Sequence, residues 1–210
     1  FNPDFDDRVL TIVPQPDGKI LVGGMFTTIG GEPRNHIARL NPSGTIDSEF
    51  NPNASGPVGS IVLQPDGKIL VGGSGDFGTS PGLPGPALTC ISRLNPDGTK
   101  DPGFNAGVGA EGEWPVRVSA IALQPDGRIL IGGRFDKFGG EPRHLIARLN
   151  ADGTLDRSFD GGKALEGFNF GFSIEVRTMV IQPDGRIIVG GDFLSPKGKP
   201  LVRLQPDGTL

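Results

Sequence analysis

The sequence of 210 residues has few of the residues that build metal centres, disulfide frameworks and membrane spans. Its single cysteine, Cys90, excludes an internal disulfide framework and a cysteine-based zinc site, and is predicted to be a small buried residue. Two histidines leave little material for a histidine-rich metal centre. No apolar run approaches the roughly 20 residues that span a bilayer. The first eight residues also lack the pattern of a signal peptide.

Positive charge is not concentrated in any part of the chain. The formal net charge is -4 at pH 7, and acidic and basic residues are interspersed. A surface that follows a phosphate backbone needs clustered lysine and arginine. Nucleic acid is therefore not expected as a partner.

Glycine and proline are abundant, with 35 and 20 residues, and they recur periodically. The tetrad Gln-Pro-Asp-Gly repeats at spacings of 49, 60 and 58 residues, and a second, similar tetrad follows each copy. In such a turn proline fixes the first corner, aspartate accepts local backbone hydrogen bonds and glycine takes the left-handed conformation. The aspartates of the first tetrads, for which we predict this structural role, are Asp17, Asp66, Asp126 and Asp184.

Short runs rich in β-branched residues flank both turns of every repeat, as at 60–63 and 68–71. This pattern is typical of buried strands rather than helices. Two hairpins in each repeat predict an all-β protein, a β-propeller of four blades with four antiparallel strands each. Part of a larger propeller and an open β-solenoid array are the alternatives.

The four repeats are expected to form one domain over residues 1–210, with blades that start near residues 9, 58, 118 and 176. Phe1-Asn2-Pro3 and Phe50-Asn51-Pro52 precede their next Gln-Pro-Asp-Gly tetrads by the same distance. Residues 1–7 are therefore expected to complete the last blade and close a ring, with a longer array as the alternative. Uncovered strand edges also predict self-association or a larger repeat assembly.

The repeats resemble the bacterial delta-60 repeat along essentially the whole chain. The resemblance is carried by Leu-Gln-Pro-Asp-Gly-Lys-Ile-Leu-Val-Gly-Gly, followed by Ile-Ala-Arg-Leu-Asn-Pro-Asp-Gly-Thr-x-Asp-x-x-Phe. Pro14 and Ala151 depart from this pattern. The resemblance implies a β-propeller-like repeat in a secreted or surface-anchored bacterial protein without assigned catalytic residues. An extracellular or cell-surface location is expected on that basis.

One face of the predicted blades carries the long, variable connections, whereas the opposite face carries the tight turns. Repeat proteins often bind ligands on the face that holds their insertions. The aromatic residues there are candidates for ligand stacking, or else they cap the blades. Two Gly-Gly-Glu-Pro-Arg loops, in repeats one and three, are candidate contacts or a turn retained by descent. The candidate ligand-binding residues are Trp114, Phe168, Phe170, Phe172, Glu32, Arg34, Glu141 and Arg143.

An arginine recurs two residues before the second tetrad of every repeat. A role needed in each repeat predicts a structural ion pair with the recurring acids Asp47, Asp101 and Asp156 rather than a ring of guanidinium groups around a channel. The four arginines are Arg39, Arg93, Arg148 and Arg203.

The sequence offers no recognised catalytic constellation. His36 and His144 lack a nucleophile motif, and Glu111 with Glu113 is only a pair of loop acids. No cofactor is predicted; calcium stays open, although no recognised motif supports it. We therefore predict a non-catalytic extracellular or cell-surface binding or scaffold module for protein or glycan. A carbohydrate-active enzyme or a lectin-like glycan-binding propeller is the alternative.

Overall fold

The computed structural model describes residues 1–74, 90–112, 115–165, 174–193 and 200–210. The chain divides into two compact units, Phe1–Pro102 and Gly103–Leu210, each with two sequence repeats. In the described part of the chain, no helix is long and apolar enough to cross a membrane. The prediction that all four repeats form one domain stays a prediction.

The first unit contains two three-stranded antiparallel sheets, in the orders β1-β2-β5 and β6-β7-β8, and a small hairpin, β3-β4. Its strands are β1 (Val9–Pro14), β2 (Ile20–Gly24), β3 (Thr28–Ile29), β4 (Glu32–Pro33), β5 (Ile37–Leu40), β6 (Val58–Leu63), β7 (Ile69–Gly73) and β8 (Ile91–Leu94).

The second unit repeats this plan with the sheets β10-β11-β14 and β15-β16-β17, and its small sheet has the order β13-β12-β9. Its elements are β9 (Ala110–Glu111), β10 (Arg117–Leu123), β11 (Ile129–Arg134), β12 (Lys137–Phe138), β13 (Glu141–Pro142), β14 (Ile146–Leu149), α1 (Gly161–Leu165), β15 (Val176–Ile181), β16 (Ile187–Gly191) and β17 (Leu201–Leu204). The short helix α1 was not expected from the sequence.

The tight turns have the predicted chemistry. In the first repeat Gly18 has φ +83°, and the Gln15 backbone N donates to Lys19 O at 2.8 Å. The Asp17 carboxylate accepts a hydrogen bond from Lys19 N at 3.0 Å. The same acceptor role recurs at the equivalent aspartates, Asp66, Asp126 and Asp184.

The four main sheets differ from the predicted blades in one respect, because within the described ranges each has three strands rather than four. The expected fourth strand is reduced to a single bridge, as between Leu40 and Ile46. Immediately afterwards the Asp47 carboxylate accepts from Glu49 N at 3.2 Å, and Phe50 N donates to Asp47 O at 3.2 Å. These local bonds turn the chain away from the sheet edge and prevent further pairing.

The recurring Gly-Gly pair lies near the end of the second strand of each main sheet, opposite a register shift in the first strand. A Cβ on its second glycine would lie 2.2 Å from Arg8 O at Gly24 and 2.1 Å from Pro57 O at Gly73. Only glycine allows the two backbones to approach this closely.

In each unit a hydrophobic cluster lies between the two three-stranded sheets. In the first unit Leu21 and Ile37 of one sheet pack with Val58 and Ile69 of the other, and all four are fully buried. In the second unit the equivalent cluster joins residues of β11 and β14 to residues of β15 and β16. Cys90 is buried, as predicted.

Candidate functional site

Each three-stranded sheet has two chemically different ends. The turn edge carries the tight hairpin turns described above. The loop edge is the opposite end, where the first strands begin at Val9, Val58, Arg117 and Val176 and the connections to the third strands leave the sheet. The sequence predicts this arrangement, with the tight turns at one end of each sheet and the long connections at the other.

The predicted aromatic contacts cannot be placed relative to the loop edge. Trp114, Phe168, Phe170 and Phe172 lie outside the described residues, as does Glu113. Their role in ligand binding stays a prediction.

The two Gly-Gly-Glu-Pro-Arg loops form the hairpins β3-β4 and β12-β13. In the first hairpin Arg34 is buried, and its Nη1 donates to Pro33 O at 2.6 Å. Glu32 is exposed, and its carboxylate lies 3.8 Å from Arg34 Nη2. The arginine therefore stabilises the hairpin, whereas the glutamate is available to a ligand.

The hairpin of the third repeat has the same internal geometry. Arg143 Nη1 donates to Pro142 O at 2.6 Å, and Arg143 Nη2 lies 3.6 Å from Glu141 Oε2. Glu141 has an additional partner, because Arg157 Nε donates to its Oε1 at 2.6 Å. This carboxylate is therefore more constrained than that of Glu32.

A charged cluster at the loop edge of the second unit was not predicted from the sequence. Glu175, just before β15, is buried with 1% of its side chain exposed, and it accepts a hydrogen bond from Arg117 Nε at 2.7 Å. Ser119 Oγ donates to the same carboxylate. Arg177 Nη2 lies 3.3 Å from Glu175 and 2.5 Å from the Asp192 carboxylate. The cluster thus joins β10 of one repeat to β15 and β16 of the next.

Electrostatics within this cluster favour the charged forms. Burial by itself raises the pKa of Glu175, but hydrogen bonds from Arg117 and Ser119 outweigh it and hold the pKa below its usual value. The hydrogen bond to Glu175 raises the pKa of Arg117, and that to Asp192 raises the pKa of Arg177. Arg177 and Asp192 are 54% and 43% exposed, so their polar groups also face solvent.

A signal for this cluster exists in the sequence. Arg117 and Glu175 both immediately precede the valine that pairs with the second glycine of the Gly-Gly pair, at Val118 and Val176. Opposite charges at equivalent positions of successive repeats are placed side by side when the repeats stack. Comparing equivalent positions of successive repeats would therefore have predicted the Arg117-Glu175 ion pair.

The recurring arginines do not contribute to the loop edge. Arg39 Nε donates to Asp47 Oδ2 at 2.7 Å, and its Nη1 donates to Pro96 O of the following repeat at 2.6 Å. Its guanidinium also lies 4.5 Å from the centre of the Phe50 ring. We call this Arg-Asp-Phe arrangement, which holds one repeat to the next, the repeat latch.

The repeat latch recurs along the chain. Arg93 Nε donates to Asp101 Oδ2 at 2.6 Å. In the second unit Arg148 Nε donates to Asp156 Oδ2 at 2.7 Å, and its Nη1 donates to Pro206 O at 2.7 Å. Arg203, at the equivalent position of β17, is exposed.

The repeat latch predicts acid sensitivity of the first unit. Burial raises the pKa of Asp47, but hydrogen bonds from Lys19 and Arg39 outweigh it and lower the pKa from 3.8 to about 2. A carboxylate with a lowered folded-state pKa stabilises the fold fully above its unfolded pKa and loses this effect as the pH falls through its folded pKa. We expect about 2 kcal/mol of stability to be lost between about pH 5 and pH 2.

Urea denaturation of the wild type and Asp47→Asn across this pH range would measure the effect. The variant should be less stable at pH 7 and should have a flatter pH dependence. Glu49→Gln, which changes an exposed acid two residues away, should retain the wild-type profile. Equal slopes for wild type and Asp47→Asn would contradict the assignment.

Two of the other acid-base candidates, Glu111 and His144, have local structural partners. Glu111 Oε1 accepts a hydrogen bond from Gly140 N at 2.8 Å. His144 Nδ1 lies 3.7 Å from Asp136 Oδ1, and burial lowers the pKa of His36. Among the described residues, no group of three His, Cys, Asp or Glu side chains is placed to hold a metal ion.

The repeated small antiparallel sheets, with tight turns at one edge, define a β-propeller repeat protein. The chain belongs to the family described as "Domain of unknown function (DUF5122) beta-propeller", which matches residues 15–50, 64–83, 85–104, 124–159 and 182–210. Four of the matched segments begin at the glutamine of a Gln-Pro-Asp-Gly turn, so the family repeat coincides with the repeat of this sequence. The predicted fold class is confirmed.

Solved structures share this fold at low sequence identity. The WD40 β-propeller domain of Doa1 is 16% identical with a TM-score of 0.57, and the match covers 94% of this chain and 50% of that one. A protein of unknown function from Bacteroides caccae is 19% identical with a TM-score of 0.53, over 97% of this chain and 65% of that one. The chain therefore spans about half to two thirds of these structures. No curated protein matches it.

Proposed function

We propose that the chain is a non-catalytic binding and scaffold module that recognises a protein or glycan through its loop edge. One observation carries the proposal. The turn aspartates and the arginines Arg39, Arg93 and Arg148 are used in turns and repeat latches, whereas partly exposed charges that differ between repeats, such as Arg177 and Asp192, lie at the loop edge. Scaffold and recognition roles are thus assigned to different residues.

The chemistry of the loop edge suits a ligand with several hydrogen-bonding groups. Arg177 presents a partly exposed guanidinium beside the carboxylate of Asp192, and Glu32 presents an exposed carboxylate in the first unit. Mixed donors and acceptors of this kind complement a polar peptide or a glycan. We also propose an extracellular or cell-surface setting and membership of the delta-60 repeats, supported by the resemblance of the repeat sequence. Self-association belongs to the same proposal.

A binding screen against glycan and peptide arrays tests the recognition role. We expect Arg177→Ala or Glu32→Ala to weaken binding to an identified ligand by about tenfold, because each removes an exposed polar contact. Arg186→Ala is the matched control, since Arg186 lies at the turn edge of the same strand pair and is 41% exposed. Binding that depends on Arg186 and not on either loop-edge residue would overturn the assignment of the edge.

The enzyme alternative is tested with the same panel of glycans by measuring turnover rather than binding. The proposal expects binding without turnover. Turnover that is abolished in Glu111→Gln or Glu113→Gln would replace the binding module with a carbohydrate-active enzyme.

A further inference from the structure

The two Gly-Gly-Glu-Pro-Arg hairpins have the same backbone but different surroundings. Both glycines of each tip have positive φ, +58° and +81° in the first hairpin and +62° and +81° in the second. The register is also the same, because Ile29 pairs with Glu32 as Phe138 pairs with Glu141. Each glutamate is therefore presented from the same backbone position, and differences at its carboxylate come from neighbouring side chains.

The carboxylate of Glu141 binds an arginine of its own chain. Arg157 Nε donates to Glu141 Oε1 at 2.6 Å, and 32% of the glutamate side chain is exposed. The Arg157 side chain is 75% exposed, so this contact lies at the protein surface. The second unit thus shows that the hairpin glutamate accepts a guanidinium that reaches it from the solvent side.

The first unit has the glutamate without the arginine. The residue after the latch aspartate is Arg157 in the third repeat and Ser48 in the first. The Glu32 side chain is 68% exposed, and within the described residues its one ionic contact is with Arg34 Nη2 at 3.8 Å. A hydrogen bond needs a closer approach than this. The carboxylate oxygens of Glu32 are therefore available to an external donor.

Charges around the first hairpin favour a cation. Lys137 is exposed and pairs with Pro142 in the second hairpin, and Thr28 takes its place in the first. Asp6 accepts hydrogen bonds from Thr28 N at 3.0 Å and from Thr27 Oγ1 at 2.7 Å, and these bonds lower its pKa from 3.8 to about 2. The first hairpin thus lacks two cations of the second and has an ionised carboxylate at its base.

The charges of the two units differ in the same direction. Residues 1–102 contain 11 acidic and seven basic side chains, whereas residues 103–210 contain 13 of each. The net charge of -4 therefore belongs to the first unit. An excess of acidic side chains attracts basic ligands and speeds their association.

We propose that Glu32 binds an arginine side chain of a protein partner in the way that Glu141 binds Arg157. The inference rests on the proposed function and names the ligand class for its residue in the first unit. A polypeptide with exposed arginine fits best, because the equivalent glutamate holds a guanidinium and the surrounding charge is negative. A glycan without cationic groups lacks this complementarity.

Fluorescence anisotropy with a labelled, end-capped peptide of arginine, glycine and serine tests the proposal at low ionic strength. We expect Glu32→Gln to bind the peptide about tenfold more weakly than the wild type, because the amide keeps the shape of the carboxylate without its charge. Glu141→Gln is the matched control and should bind like the wild type, since Arg157 already occupies that carboxylate. A peptide with lysine in place of arginine should bind more weakly, because only a guanidinium presents a fixed fork of N–H donors.

Exchanging the residues after the latch aspartates gives a sharper test. Ser48→Arg supplies the first unit with the arginine of the second and should weaken peptide binding by about tenfold, although Glu32 is unchanged. Arg157→Ser frees Glu141 and should add a second, weaker site, which isothermal titration calorimetry would detect as a higher stoichiometry. Ser48 and Arg157 are both exposed, so both variants should keep the wild-type circular dichroism spectrum and thermal midpoint.

Peptide binding that is unchanged in either Glu32→Gln or Ser48→Arg would overturn the proposal. Equal binding of the arginine and lysine peptides would overturn it as well, and so would a single site in Arg157→Ser. If the wild type does not bind the arginine peptide but binds an array ligand that depends on Arg177, the inference fails and the proposed function stands. A chain that binds neither the peptide nor any array ligand contradicts the proposed function itself.

Discussion

Replacing Phe50 by alanine is expected to lower the unfolding free energy of the first unit by about 3 to 5 kcal/mol. The ring is fully buried in the core between the two sheets of that unit. Its edge lies 3.0 Å from the position of a Cβ at Gly98, and the Arg39 guanidinium covers its face at 4.5 Å. Alanine would leave a cavity in the core and would remove the aromatic ring on which the Arg39 guanidinium stacks.

Urea denaturation followed by far-UV circular dichroism would measure this loss. Phe50→Leu keeps most of the buried volume but removes the stacking of Arg39, so a smaller loss of about 1 kcal/mol is expected. Phe159→Ala should have a comparable effect on the second unit, because Phe159 is fully buried beneath Arg148. A loss below about 1 kcal/mol in Phe50→Ala would contradict the latch as a stabilising element.

Local turn chemistry made much of this fold predictable. A proline, an aspartate and a glycine in succession determine where the chain reverses, and the structure places Asp17 and its equivalents as acceptors in those turns. The Arg-Asp pairs were predictable for a similar reason. An arginine and an aspartate that recur together from repeat to repeat are expected to form the same ion pair in each of those repeats.

Local chemistry also explains what the sequence prediction got wrong. The residues after the second tetrad have strand-like composition, yet the Asp47 carboxylate binds the backbone of Glu49 and turns the chain after one bridge. A pattern of apolar and polar residues does not reveal this competition, because it depends on where a side-chain acceptor meets a backbone donor. The prediction of a regular fourth strand was therefore wrong, because only a single bridge forms there.

The loop edge was the least predictable region because its contacts join different repeats. Arg117 and Glu175 are far apart in sequence and meet only because β10 and β15 belong to adjacent sheets. Their positions within single repeats give no reason to pair them. Only the stacking register, which Gly132 and Val176 set through close packing, brings the charges together.

Substituting Glu175 by glutamine is expected to lower the unfolding free energy of the second unit by about 3 kcal/mol. The buried carboxylate accepts hydrogen bonds from Arg117 and Ser119, and glutamine leaves the Arg117 charge without its anion. Because hydrogen bonds from Arg117 and Ser119 lower the pKa of Glu175, the wild type should lose stability as the pH falls below about 4.5 and through the lowered pKa of the folded state. Urea denaturation at pH 7 and at pH 3 would measure both effects.

Two further variants separate the loss of a partner from the value of the ion pair itself. Asp192→Asn removes a partly exposed partner of Arg177, so a loss below about 1 kcal/mol is expected. The double variant Arg117→Leu with Glu175→Leu removes the buried carboxylate and its half-buried partner and should recover at least half of the loss, since an apolar pair avoids the desolvation of either ion. If the double variant is instead as unstable as Glu175→Gln, the damage comes from altered packing at the start of β15. The charge imbalance would then be excluded as its cause.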